Sequence, residues 1–358
     1  MKKLLSFIAC LLPFMALQAQ TKVLKVSALK SNDYGVQYVL PKTQLLVDVD
    51  YSELQQKAGP YARYAYNYLG IADSEVVQED QTTFTLNRVG VTETGVPNKE
   101  QTYLVSFKVK TTAPYVYLTE DGLLCTINAD YEPEENQVVA KTEKPAAPVI
   151  EINPQSVYTE EYLRAGSVSK MAEVAAKTIY KIRESRQDIL TGEADEMPKD
   201  GEAMKLVLGN LEAQERVWMR LFVGTQETVK HHKQLTIEPS DELDNEILFR
   251  FSNFLGMVDA DDLSGRPITL TITDLQSVEI SVPDPKKKQK PLEGITYNLP
   301  GKAELTIRDG KQYLYSNNIN VTQFGTTQVL VPSLFEDNKK PVQVYFYPQL
   351  GAIKQIIQ

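Results

Sequence analysis

The chain has 358 residues, with 38 Lys and Arg against 47 Asp and Glu, a formal charge of −9 and a hydrophobic fraction of 42%. An acidic surplus on an ordinary globular composition argues against nucleic acid or an anionic lipid surface as a partner. The length exceeds what one hydrophobic core usually organises, so two domains or slightly more are expected.

Met1 is followed by Lys2 and Lys3, an apolar stretch from Leu4 to Leu17 broken only by Ser6 and Pro13, and then Gln18-Ala19-Gln20. These are the marks of a secretory signal peptide, residues 1–19, cleaved after Ala19. The apolar run of about 14 residues is too short for an anchor, which needs roughly 20. Phe7-Ile8-Ala9-Cys10 loosely resembles a lipoprotein box, but cutting there would leave Leu11 to Leu17 as an apolar mature terminus. Removal of the signal leaves 36 basic and 47 acidic side chains, a formal charge of −11, with Cys125 as the only thiol. No internal disulfide can then form, and packed cores must supply the stability. The mature chain has no second apolar run of spanning length, and Val342 to Ile357 lacks the closing aromatic of an outer-membrane barrel strand. No transmembrane segment is therefore expected.

Residues 20–131 are expected to form an N-terminal β domain with one helix. Tyr38 to Tyr51 and Thr102 to Asn128 alternate with period two and are rich in β-branched and aromatic residues, as strands are. Glu120-Asp121-Gly122 marks a hairpin turn between Tyr115 to Leu118 and Leu123 to Ile127. Ser52 is expected to cap a helix whose later part opens at Gly59-Pro60 and ends near Gly70. That helix would carry Tyr61, Tyr64 and Tyr68 on one face. Two readings are open for them: packing, since Ala65 and Leu69 lie near the same face, or a platform on which sugar rings stack. Cys125 alternates with Leu123 and Ile127 and has no histidine or basic residue near it, so it reads as a small buried apolar residue, not a nucleophile.

Residues 132–156 form an acidic, Pro-rich linker containing Lys144-Pro145-Ala146-Ala147-Pro148 and Asn153-Pro154, where the prolines favour extension. Residues 157–224 switch to helical period. Val168, Met171, Val174, Ala175, Ile179, Ile182 and Ile189 make one stripe, and Met204, Val207, Leu208, Leu211, Trp218, Leu221 and Phe222 make another. Gly192 is a natural stop and Asp200 a natural cap, giving an antiparallel helical hairpin. Arg186 and Glu215 fall on the two apolar stripes. With the turn near residue 195 they would stand roughly 16 Å apart, too far for direct contact, so each is expected to meet another partner.

Residues 225–358 are expected to form a C-terminal β domain with strands at Leu235 to Ile237, Ile247 to Phe251, Ile268 to Ile272, Val278 to Val282, Ala303 to Ile307, Gln328 to Val331 and Gln343 to Tyr347. Lys286 to Lys290, between Pro285 and Pro291, reads as a solvated loop tip. The two ends of the chain echo each other. Tyr38-Val39-Leu40-Pro41 precedes one strand and Tyr297-Asn298-Leu299-Pro300 another, and Gly122, Leu124 and Ile127 match Gly351, Ile353 and Ile356 in spacing. The fold class expected is α+β, mostly β: two antiparallel sandwich-like or barrel-like domains joined by the helical hairpin, and related by duplication.

The signal followed by Tyr-x-Leu-Pro, the Gly59-Pro60-Tyr61 helix ending at Leu69-Gly70, the Arg183 to Gly192 segment, Arg250-Phe251-Ser252 and Gln323-Phe324-Gly325 together make the chain resemble a family of exported proteins from Bacteroidales-type Gram-negative bacteria. That family is a domain of unknown function. The resemblance spans nearly the whole mature chain, implies an envelope location and lends no catalytic residue.

His231 and His232 are the only histidines, and neighbours on a strand point to opposite faces, so they cannot share one metal. No Cys cluster, His-Glu-x-x-His helix, Gly-x-Ser-x-Gly elbow or phosphate-cradling glycine loop is present. Asp259, Asp261 and Asp262 before Gly265 fail the calcium-loop pattern because Leu263 stands where an oxygen donor is wanted. No catalytic, metal or cofactor residue is assigned and no cofactor is expected. Tyr61, Tyr64, Tyr68, Arg186 and Glu215 are the candidate contacts for a ligand or partner. The expected role is a non-enzymatic binding or scaffold module with an envelope protein as partner. The alternative is a glycan-binding module or a carboxylate-dependent enzyme acting on glycans.

Overall fold

Burial of Leu45, Val47, Val49 and Tyr51 is what period-two patterning demands of a strand with one dry face. In the computed structural model, which describes residues 35–106, 116–132, 150–197, 201–279, 294–331, 334 and 342–358, that strand is β1 (Gly35–Lys57). The expected signal segment with Cys10, most of the Pro-rich linker, Asp200 and the Lys286 to Lys290 loop lie outside the described residues. So does the expected strand Val278 to Val282, except for Val278 and Glu279, which are not in a strand.

β1 continues through Ser52, which pairs with Thr85 on one side and Lys230 on the other. The helix expected from a Ser52 cap therefore does not form there, because ladders on both edges outweigh a local side-chain cap. The chain turns only at Gly59, where a Cβ would stand 2.4 Å from the Leu221 carbonyl oxygen. A 3-10 turn at Ala62–Tyr64 leads into the short helix α1 (Ala65–Leu69), ended by Gly70 at φ 69°. Then come β2 (Gln81–Ser106), β3 (Val116–Leu118) and β4 (Leu124–Ile127).

The helical region holds α2 (Glu160–Leu163), α3 (Val168–Thr191) and α4 (Gly201–Val223). Side chains of Thr159 and Ser167 cap the first two, and Gly192 at φ 81° ends α3, as its sequence indicates. Among the described residues eight strands follow: β5 (Thr225–Ile237), β6 (Leu243–Ser252), β7 (Gly256–Val258), β8 (Arg266–Asp274), β9 (Ile295–Asp309), β10 (Gln312–Leu330), β11 (Gln343–Tyr347) and β12 (Ala352–Ile357).

The fold is α+β and mostly β, as expected, and the described strands form three sheets ordered β2-β1-β5, β10-β9-β8-β6-β7 and β12-β11-β4-β3. The first two face each other across a core that draws Leu45, Val47 and Val49 from β1 and Phe249, Ile268, Leu270, Leu305 and Val321 from the second sheet. The halves interlock: β5 crosses over to pair with β1, and β11 pairs with β4. Tyr38 rivets them further, since its hydroxyl donates to the Thr296 carbonyl at 2.9 Å and accepts from the Thr296 amide at 2.7 Å. Burial pushes that phenol up to about 12.

The sequence echo is a repeat in three dimensions. The Val39 amide donates to the Gly122 carbonyl at 3.0 Å, and the Asn298 amide to the Gly351 carbonyl at 2.9 Å. In β1–β2 the register jumps at the Leu-Pro step, residues 98–101 bulging opposite Leu40; in β9–β10 residues 322–325 bulge opposite Pro300. The short hairpins share a bulge too. Tyr117 pairs with Thr126 and Leu118 with Leu124, skipping Cys125, while Tyr345 pairs with Gln355 and Phe346 with Ile353, skipping Lys354. Each unit is thus a long hairpin followed by a short one, β1–β4 and β9–β12, with α2 to α4 and β5 to β8 between them.

Candidate functional site

The α3 and α4 stripes meet only in part. Val174, Ala175, Ile179 and Ile182 of α3 and Trp218 and Phe222 of α4 are buried. They share a cluster with Tyr61, Ala65 and Tyr162. Trp218 is its centre, with ring centroids 5.0 Å from Tyr162 and 5.3 Å from Tyr158. In the first half of α4, by contrast, Leu206 is 61% exposed and Val207 is exposed as well.

The same offset explains a correction. Glu215 accepts from Arg183 Nε at 2.6 Å and from Arg186 Nη1 at 3.0 Å, so Arg186 and Glu215 do touch. The expectation of 16 Å assumed a turn centred near residue 195. These contacts put the register centre close to residue 200, so the early turns of α4 overhang the end of α3. Long side chains cover what separation remains. Both carboxylate oxygens are engaged, and Glu215 clamps two successive turns of α3 to α4. Beside it lies a cavity of about 240 Å³ lined by Arg186, Glu212, Glu215, Arg216 and Met219.

Of the three candidate tyrosines, Tyr61 is enclosed, its hydroxyl 2.7 Å from that of Tyr162. Burial, together with this neighbour, holds the Tyr162 phenol well above its ordinary range. Tyr64 and Tyr68 are half-buried against the same cluster, with ring centroids 6.0 Å apart. The structure thus brings Arg186 and Glu215 together and sets the tyrosines on the neighbouring aromatic cluster.

The histidines project to opposite faces of β5, and each meets a carboxylate of β1. His231 Nε2 lies 2.8 Å from Glu53 Oε2, and its ring stacks on Tyr51 at 4.9 Å. His232 Nδ1 lies 2.8 Å from Asp50 Oδ1. Donors from Gln55 and His231 hold the Glu53 carboxyl below its usual range. These are cross-strand fasteners. In the Asp259 to Gly265 turn, the Arg250 guanidinium donates to the carbonyls of Ala260 and Gly265. Among the described residues no group of three or more His, Cys, Asp or Glu side chains is arranged to hold a metal ion.

A further cavity, of about 620 Å³, lies where the two short hairpins meet. Tyr345 and Tyr347, two apart on β11, line it with Tyr131, Asp130, Glu132 and Lys354. Cys125 and Thr126 line it too and are themselves buried. Burial pushes the Cys125 thiol up to about 11, so at neutral pH it is a protonated, weak nucleophile. Sequence reading missed this place. The only signal was the repeated Val-Tyr of β3 and β11, and the β4–β11 pairing that builds the cavity joins residues far apart in the chain.

Among the described residues no helix is long and apolar enough to cross a membrane. No curated protein and no solved structure matches the chain. The model of one family matches residues 34–354, nearly the whole of the described fold, and the chain belongs to that family, described as Domain of unknown function (DUF4831).

Proposed function

We propose that this chain is an exported protein of the cell envelope that acts as a non-catalytic binding or scaffold module, with the helical hairpin as the element that docks a protein partner. The observation that carries the reading is the overhang: Leu190 and Leu206 are 60% and 61% exposed, with Met197 and Val207 exposed nearby in the chain. The N-terminal signal pattern supports export. Apolar side chains left outside the core at the end of a long helical pair are the composition of an interface. The test is cross-linked affinity capture of the tagged mature protein from its native envelope, beside a Leu190→Asp/Leu206→Asp variant. The reading expects a stoichiometric protein that is lost with the variant. The same protein captured by both forms, or none by either, overturns it.

A second reading rests on the hairpin cavity. Three tyrosines beside two carboxylates are the lining that stacks and hydrogen-bonds a sugar. Saturable binding on a glycan array, lost on Tyr345→Ala, would establish it, whereas binding unchanged by that substitution would remove the cavity from consideration.

A further inference from the structure

The β4–β11 seam joins the second strand of one short hairpin to the first strand of the other, pairing Ile127 with Val344 and Thr126 with Tyr345. Across the sheet, Ile127 also pairs with Val116 and Thr126 with Tyr117, while Val344 pairs with Ile356 and Tyr345 with Gln355. The rows are therefore Ile356, Val344, Ile127, Val116 and Gln355, Tyr345, Thr126, Tyr117. The two hairpins follow one another in the same orientation and register, β3 running parallel to β11 and β4 to β12. A seam of this kind is head-to-tail and leaves its own halves at the two ends of the sheet.

β12 is the counterpart of β4. The start of β4 touches β1 through the parallel bridge of Leu123 with Val39, and its later part holds β11. The start of β12 touches β9 through Gly351 and Asn298, but among the described residues its later part stands at the end of the sheet order. The consequence shows in burial: Ile127 is 0% exposed, while its equivalent Ile356 is 44% exposed and Ile357 39%. Two isoleucines on a sheet-edge strand form a surface that proteins usually charge, shorten or cover. The bulge at Lys354 is no barrier, because β4 carries the same bulge at Cys125 and still pairs with β11.

The strand that fits this edge is one resembling β11, Val344-Tyr345-Phe346, and the chain contains another, Val116-Tyr117-Leu118 of β3. We propose that the outer edge of β12 takes β3 of a second copy of this chain, with Ile356 opposite Val116 and Gln355 opposite Tyr117, so that the internal seam repeats between molecules and copies add head to tail. This goes beyond the proposed function, which concerns the hairpin, and stands or falls without it.

The test uses two full mature chains of different mass, one carrying Gln355→Cys and the other Tyr117→Cys, mixed and oxidised. Residues directly opposite in an antiparallel pair bring their Cα atoms within disulfide range, and a shifted register does not. The expected result is a mixed disulfide between the two chains, lost when Leu118→Cys replaces Tyr117→Cys, with Gln355→Cys chains failing to link to one another. In sedimentation the unmodified chain should show concentration-dependent growth that is lost in Ile356→Lys/Ile357→Lys, whose unchanged thermal unfolding would show that it is folded. The proposal is overturned by an absent mixed disulfide at the highest soluble concentration, by β12-to-β12 linkage, or by growth that survives the lysine substitutions.

Discussion

The two short hairpins share a backbone pattern and differ in cover. In β3–β4 the residues Leu124, Cys125, Thr126 and Ile127 are all buried, because β11 closes one edge and the core closes one face. In β11–β12 the equivalent Ile353, Lys354, Gln355 and Ile356 range from half-buried to exposed. The side chain at the shared bulge follows the surroundings: a thiol where it is enclosed, an ammonium near the Tyr347 ring where it is not. Backbone geometry in this molecule therefore comes from the repeat, and side-chain chemistry from what the neighbouring unit supplies.

That comparison can be broken most readily at its isoleucines. Ile127→Ala is expected to cost about 2–5 kcal/mol in urea unfolding, the range for deleting a buried branched side chain. Ile356→Ala in the dilute protein should stay within about 0.5 kcal/mol, as for surface substitutions. An effect between these two is expected where the units are tied together. Asn298 Nδ2 donates to the carbonyls of both Pro41 and Leu350. Asn298→Ala takes the donor from one buried and one part-buried acceptor and should cost about 1–3 kcal/mol. The equivalent position in the first unit is Val39, which makes no such side-chain tie, and Val39→Ala should cost less.

The smallest effect is one of pH. The Cys125 thiol is raised from 9.0 to about 11 by burial, so the folded state favours the protonated form. The resulting stability is fully present below about pH 9 and is lost as pH climbs through about 11. Cys125→Ala should flatten that part of the alkaline decline in stability, measured as the urea midpoint at pH 8 and pH 10. In the native protein the thiol should also resist alkylation at pH 8 until unfolding exposes it.

Much of this was legible in the sequence, but unevenly. Tyr-x-Leu-Pro and the Gly122/Gly351 spacing indicated the repeat because a turn glycine and a proline step are local, geometric demands. The matching Val-Tyr strands went unread, since the turns that follow them differ by one residue, from Leu118 to Gly122 against Phe346 to Gly351. Most of β2 was missed because Gly90, Gly95 and Pro97 interrupt its alternation and its outer face is polar. The buried parts of the helical stripes were read, but Val168 and Val207 are exposed, and the register of the two helices was misplaced. The enclosure of Cys125 was visible, whereas the cavity beside it depends on the β4–β11 pairing, for which period and propensity carry no signal. Three of the five candidate contacts belong to the aromatic cluster, and the other two meet because α4 overhangs α3.

Hydrogen exchange on the dilute protein tests most directly whether the hairpins are one unit under different cover. The account predicts that amides of residues 124–127 exchange only through global unfolding, while those of 353–357 exchange through local opening, faster by orders of magnitude. Equal protection of the two segments at every dilution would contradict it.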